Sequence, residues 1–376
     1  MKIAVISSNT LATPPDPSTV QPEWTTSIHD VVSTITEGLV ARGHDVTLFA
    51  SGNSKTSAKL ESAWEKPSVE YYVTEKQFDY GLEDQILISY ALHKIIEEGD
   101  FDIIYSYHSL DIGPFAFISP VPIVSTIHGP GDIGLEKKFI PKFIKPPLFV
   151  GLSKFQTEKM HEIEFVEIIN HGVDTQLYKF DSEGGEDLLY VGRLVEDKGI
   201  DIAMKAATEL KKKINILGLA TKEYMENSLN NLITEYTNLI GQKPKAEASK
   251  YFEKAKALLF PIRWDEPFGL VAVESLSAGT PVITFARGAM PEIIEDGKTG
   301  FLINLDESTK RGEWIIKQTG EDGIKEALNK LDSMSKAEYL QMRKDCRESV
   351  EKRFNKEIMI DNYEELFNKI IIAKTK

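Results

Sequence analysis

A chain of 376 residues with 41% apolar side chains is long enough for two domains of ordinary size, and its formal charge of −14 argues against a nucleic-acid partner, since phosphate binding needs a basic face. The single cysteine, Cys346, excludes an internal disulfide and any cysteine-based metal site; it suits a reducing compartment and reads as an ordinary helix-face thiol. No apolar run approaches the length of about 18 residues that a membrane span needs, and Met1-Lys2 leads directly into a strand-like segment rather than a signal peptide, so a soluble cytoplasmic protein is expected.

Lys2 to Ser8 is a short β-rich run. After a loop, Ile28, Val31, Val32, Ile35 and Leu39 recur at helical spacing until Gly43, and His44 to Ser51 forms the next strand. This β-α-β opening predicts a parallel sheet with a right-handed crossover. Asp84 to Glu98 is an amphipathic helix, followed by strands at Asp102 to Tyr107 and Val121 to His128. His128 thus stands at a strand's C-terminal tip, before a Gly-Pro-Gly turn, and His108 ends the preceding strand. A lone histidine in such a place is also an ordinary structural hydrogen-bonder.

Residues 136–147 interleave Lys137, Lys138, Lys142 and Lys145 with Phe139, Ile140, Phe143 and Ile144. An amphipathic basic segment of this kind can touch an anionic membrane surface weakly or pack on its own domain, and Pro141 and Pro146 oppose a long helix. Leu148 to Leu152 and Phe165 to Asn170 are strands, with Ser153 a helix cap between them. SEGGE, within a connection at 172–186, has linker composition.

Asp187 to Val191 is a strand running into GRLVEDKGID, where Arg193 offers a fork and Lys198 a point charge to one anion. Strands at Ile214 to Leu217 and Asn238 to Ile240 alternate with helices at Lys222 to Glu235 and Ala246 to Lys256, as in a second doubly wound sheet. The apolar run at 257–260 then ends in a loop, and Pro267 opens a helix that Gly279 stops before a strand at Thr280 to Phe285.

Glu266 lies just before this helix and Glu274 about two turns into it, an offset of roughly 10–12 Å along the axis. The free amides from Phe268 through Gly269 to Leu270, with the helix dipole, suit a phosphate, while carboxylates on either side suit vicinal hydroxyls. The pattern points to a sugar, a diphosphate and a ribose. The same two carboxylates also fit a helix cap and a solvated face residue.

EPFGLVAVE resembles the Glu-x7-Glu signature of the retaining family 4 glycosyltransferases, and SLSAGTPVITFARGAMPEIIEDGKTGFLI resembles that family's continuation. ARGHDVTLFASG, INHGVD and the Gly192-Arg193 and Lys198-Gly199 pairs are similar to further family motifs. The resemblance implies an α/β fold of the GT-B type, two doubly wound Rossmann-like domains facing across a cleft that closes around the donor. It implies an acceptor-binding domain over 1–171, the connection at 172–186, a nucleotide-sugar-binding domain over 187–353, and a C-terminal segment 354–376 crossing back to the first domain.

By the same resemblance, Arg193 and Lys198 bind the donor diphosphate, Glu266 and His128 contact the donor sugar, Glu274 contacts the ribose, and no metal or cofactor is needed. The implied reaction moves a hexose from a nucleotide diphosphate sugar, UDP-glucose first and GDP-mannose second, to a hydroxyl of a glycan, lipid or small-molecule acceptor, with retention through a front-face mechanism. The sequence departs from the family where Thr25 and Thr26 stand in place of a Gly-Gly pair. That departure leaves open a catalytically impaired nucleotide-sugar-binding or scaffold protein of the same fold; an epimerase or phosphorylase on that fold is a second alternative.

Overall fold

The computed structural model describes residues 1–16, 27–75, 80–129 and 146–374. Among them the chain forms two compact units: one holds the chain up to His171 together with Glu357 onward, the other Gly172–Lys356.

Short runs of apolar, β-branched residues make the strands of the first unit: β1 (Lys2–Ile6), β2 (Asp45–Phe49), β3 (Lys59–Glu61), β4 (Ile103–Ser106), β5 (Ile123–Thr126), β6 (Leu148–Gly151) and β7 (Phe165–Ile168). They pair in parallel in the order β3-β2-β1-β4-β5-β6-β7, so the chain reverses its direction of travel between β1 and β4. The Ser27–Ala41 helix turns His29, Val31, Val32, Ile35, Thr36 and Leu39 inward. The Tyr80–Glu98 helix supplies Leu87, Ile88, Ala91, Leu92 and Ile95 to a core shared with Ile6, Phe49 and Ile104.

The Lys356–Lys374 helix buries Met359, Ile360, Tyr363, Leu366 and Phe367. The Tyr363 hydroxyl meets Thr126 Oγ1 at 2.7 Å, and its ring meets the edge of Tyr105 at 5.1 Å. Each such side chain contributes about 1.5–3 kcal/mol when fully buried. The helix is therefore part of the first unit's core.

The second unit repeats the plan with β8 (Leu188–Val191), β9 (Ile214–Leu217), β10 (Thr237–Leu239), β11 (Leu258–Phe260), β12 (Val282–Phe285) and β13 (Gly300–Ile303). All pair in parallel in the order β10-β9-β8-β11-β12-β13, reversing between β8 and β11. Arg343, on the Lys336–Arg353 helix, is fully buried and donates to the carbonyls of Asp181, Glu253, Ala255 and Ala278.

Three local expectations change. The helix expected over 222–235 is regular only at Lys222–Tyr224, then widens to a π-turn at Met225–Leu229 and tightens to a 3-10 turn at Asn230–Leu232. Asn227, Ser228, Asn230 and Asn231 are weak helix formers, so nothing local enforces one geometry. The segment 172–186 is packed into the second unit; a Cβ on Gly185 would lie 2.1 Å from the Lys254 carbonyl, so this glycine serves close approach. Finally, the helix expected from Pro267 begins at Leu270, because Gly269 turns left-handed with φ +108°.

Candidate functional site

In an open parallel sheet, ligands bind beyond the carboxyl ends of the strands where the strand order reverses. In the second unit that point is flanked by the loops after β8 and β11. Arg193 and Lys198 lie in the first loop and Glu266 in the second. Lys198 ends a short Glu196–Lys198 turn capped by Gly199, whose φ of +70° and close approach to Pro261, with a Cβ position 1.9 Å from the Pro261 carbonyl oxygen, join the two loops.

The Lys198 ammonium donates to Glu266 Oε2 at 2.6 Å, and the Trp264 indole N–H donates to the same oxygen at 2.8 Å. The ammonium also sits over the Trp264 ring, 4.4 Å from its centroid. Both charged side chains are largely shielded, with exposures of 14% and 13%, so their attraction is less screened than that of a surface pair. Arg193 is half-buried, and its carbonyl accepts from the Tyr190 hydroxyl at 3.1 Å.

Neighbouring residues pin the Glu266 loop on both sides. Arg263 forks onto Asp201 at 2.8 and 2.7 Å and donates to the Glu196 carbonyl at 2.7 Å. Burial pushes the Asp201 carboxyl up, but the Arg263 hydrogen bonds and charge outweigh it and hold it below its ordinary range. Asp265 Oδ1 accepts from Arg287 at 3.0 Å and Arg311 at 3.2 Å, and the Glu266 carbonyl accepts from the Ala289 amide at 2.8 Å.

The first internal bond of the Leu270–Ser277 helix runs from the Ala272 amide to the Gly269 carbonyl, so the amides at its open end are those of Leu270 and Val271. Phe268 points into the core against Phe354, ring centroids 5.7 Å apart. Glu274 is buried in the helix, with the Lys245 ammonium at 3.9 Å. The structure thus brings Lys198 and Glu266 into direct contact and sets the helix start and Glu274 on the element that follows.

His128 is in the other unit, just beyond β5. Its ring stacks on His171 at 5.4 Å and lies 5.6 Å from Tyr107, which in turn lies 5.1 Å from His29. Neither ring nitrogen of His128 has a hydrogen-bond partner among the described residues. Burial, then the neighbouring His171 and His29, hold His128 well below the ordinary histidine range, and burial lowers His171 to about 3. Both rings are neutral at pH 7.

Beside them, His108 Nε2 lies 2.8 Å from the Ser7 carbonyl, and Asp84 accepts from the Ser8 hydroxyl and the Asn9 amide, each at 3.0 Å. The Asn9 carboxamide is fully buried with no partner among the described residues. Sequence reasoning passed over Asn9, Tyr107 and His171. The strand-end position that singled out His128 applies equally to His171, which closely follows β7. Trp264 was also missed, although a tryptophan between Arg263 and Asp265 in a strand-end loop is a signal in itself.

Thr25, Thr26 and all of the basic segment except Pro146 and Pro147 lie outside the described residues. Among the described residues no three metal-ligating side chains converge, and no helix is long and apolar enough to cross a membrane. Cys346 is buried, and burial pushes its thiol far above the ordinary range, which makes it inert.

Residues 178–352 match the family model described as Glycosyl transferases group 1, and residues 29–177 match that described as Glycosyltransferase Family 4. An uncharacterized protein of the cps region of Klebsiella pneumoniae is 30% identical over 184 residues, 48% of this chain and 46% of that protein. An uncharacterized glycosyltransferase of Methanocaldococcus jannaschii is 26% identical over 261 residues, 65% of this chain and 73% of that protein. The first alignment therefore spans less than half of the relative's own length. Among solved structures, sucrose-phosphate synthase from Thermosynechococcus elongatus superposes with a TM-score of 0.76 at 16% identity, covering 99% of this chain and 100% of that one. Anabaena HepE, in complex with UDP and glucose, superposes at 0.70 and 16% identity over 98% and 100%. The architecture is GT-B.

Proposed function

From a chain whose two halves match glycosyltransferase family models and whose fold is GT-B, we propose a retaining, metal-independent hexosyltransferase that uses a nucleotide diphosphate sugar. The observation that carries this reading is the pairing of Lys198 with Glu266 where the second sheet's strand order reverses, beside an open helix N-terminus. A diphosphate arriving there exchanges one anion for another at Lys198. Arg193, Lys198 and the amides of Leu270 and Val271 then stabilise the negative charge that grows on the leaving diphosphate, as oxyanion-hole donors do.

Glu266, released from Lys198, accepts hydrogen bonds from sugar hydroxyls, and Glu274 from the ribose. His128 keeps the role the family resemblance gives it, contact with the donor sugar. The leaving phosphate takes the acceptor proton on the front face. A double displacement would call for two carboxylates about 5 Å apart, closer than the spacing of Glu266 and Glu274 along the chain. The structural neighbour solved with UDP and glucose supports UDP-glucose as the first donor to try, with GDP-mannose second. The acceptor is a hydroxyl of a glycan, lipid or small molecule.

The test is a panel of UDP-, GDP- and ADP-sugars with varied acceptors, assayed for turnover with and without a chelator, and for the product's anomeric configuration by NMR. The expected result is turnover of one donor with retention, indifferent to the chelator, and lowered about 10²- to 10³-fold in Arg193→Ala. Donor binding without turnover across the panel makes the chain a nucleotide-sugar-binding protein instead. Inversion of the product overturns the front-face mechanism.

A further inference from the structure

Trp264 is half-buried in a loop held by ion pairs on both sides. It makes two polar contacts at once. Its N–H donates to Glu266 Oε2 at 2.8 Å, and its ring face lies 4.4 Å from the Lys198 ammonium.

We propose that Trp264 is a positioning residue that holds the Glu266 carboxylate in place while Lys198 changes partners from that carboxylate to the donor diphosphate. The proposal rests on the reading of the site given above. With the donor absent, Glu266 Oε2 accepts from both Lys198 and Trp264. An incoming diphosphate draws the ammonium away, and Glu266 loses its charged donor as it must begin to orient sugar hydroxyls. The indole N–H is then the donor that stays.

It can stay because its backbone neighbours cannot move freely: Arg263 is tied to Asp201 and the Glu196 carbonyl, and Asp265 to Arg287 and Arg311. The ring face plays the complementary part. A cation over an aromatic face is attracted without the strict directionality of a hydrogen bond, so Lys198 can slide toward phosphate and keep that contact. One side chain fixes the anion and lets the cation travel.

The experiment is a double-mutant cycle of Trp264→Phe and Glu266→Gln, read in kcat, donor KM, nucleoside diphosphate affinity and urea unfolding midpoint. Phenylalanine keeps a ring face and lacks the N–H. Trp264→Phe is expected to lower kcat about tenfold, the scale of one hydrogen bond to a charged group. Donor KM and nucleoside diphosphate affinity should stay within about twofold, a split that a general loss of structure would not give. Acting through Glu266, it should add less than about twofold to the loss in Glu266→Gln. Losses that multiply, or a diphosphate affinity that falls as far as kcat, overturn the proposal. If the wild type turns over no nucleotide sugar, the reading of the site fails separately. The unfolding midpoints of the same four proteins then decide whether Trp264 holds Glu266: non-additive shifts support the contact and additive shifts overturn it.

Discussion

The two units share one sheet plan yet treat the polar groups at their strand ends in opposite ways. In the second unit the groups are charged and matched: Lys198 with Glu266, Arg263 with Asp201, Asp265 with Arg287 and Arg311. In the first, Asp84 aside, the groups around His128 are uncharged, and some are unmatched. The His128 nitrogens, beside the rings of His171 and Tyr107, and the Asn9 carboxamide are shielded with no partner among the described residues. A matched charge pair can exchange one ion for another at modest cost, which suits a site visited by a diphosphate. An unmatched buried amide or imidazole costs roughly 1–3 kcal/mol, a cost recovered when a ligand bearing hydroxyls supplies the missing bonds.

The largest stability effect that sharpens this contrast is expected at Gly199. Its φ of +70° is in the left-handed region, and a Cβ there would lie 1.9 Å from the Pro261 carbonyl oxygen. Gly199→Ala should lower unfolding stability by roughly 2–4 kcal/mol, measured by urea denaturation, because backbone must move to admit the methyl group. A loss near zero would mean that the loops after β8 and β11 are not stitched together as described.

The next effect belongs to the first unit and depends on pH. His128 and His171 are held neutral in the fold, with His171 lowered to about 3, whereas in the unfolded chain a histidine titrates near 6.5. The unfolded state therefore binds more protons below pH ~6.5, and stability rises with pH there. As pH falls from about 6.5 toward 3, the His171 ring should withdraw up to ~1.4 kcal/mol per pH unit, and the His128 ring acts in the same direction. Urea midpoints at pH 7 and pH 5 should differ less in His171→Asn than in the wild type. Equal differences would show that His171 does not carry its share.

The smallest effect is at Asn9. Asn9→Leu removes an unmatched buried carboxamide and should raise stability by roughly 1 kcal/mol, measured by urea denaturation. A fall in stability would show that the carboxamide is matched after all.

Much of this was legible from residues alone. The runs KIAVI, INIL and VITF fall on strands because short apolar segments between turn signals have few other uses, and a β-α alternation fixes a parallel, doubly wound plan. Arg193, Lys198 and Glu266 were singled out because each follows a strand end or precedes a helix start, and Glu274 by its spacing from Glu266, so that local pattern and ligand chemistry coincide. What stayed hidden depends on long-range contact. Nothing local marks Arg343, in a helix as charged as KAEYLQMRKDCRESVEKR, as fully buried, since the carbonyls that accept from it are 65 or more positions away, at Ala278 and beyond. The left-handed Gly269 that delays the helix to Leu270 is legible only beside Met290, whose methyl lies 2.3 Å from where a Cβ would be. The cluster of His29, Tyr107, His128 and His171 draws on four separate parts of the chain.

The most direct measurement is calorimetric titration of UDP, GDP and ADP into the wild type, Lys198→Ala and His171→Asn. If the matched charges of the second unit form the diphosphate site, one nucleotide binds the wild type, Lys198→Ala weakens it at least tenfold, and His171→Asn leaves it within about twofold. Unchanged affinity in Lys198→Ala, or a loss confined to His171→Asn, would contradict the account.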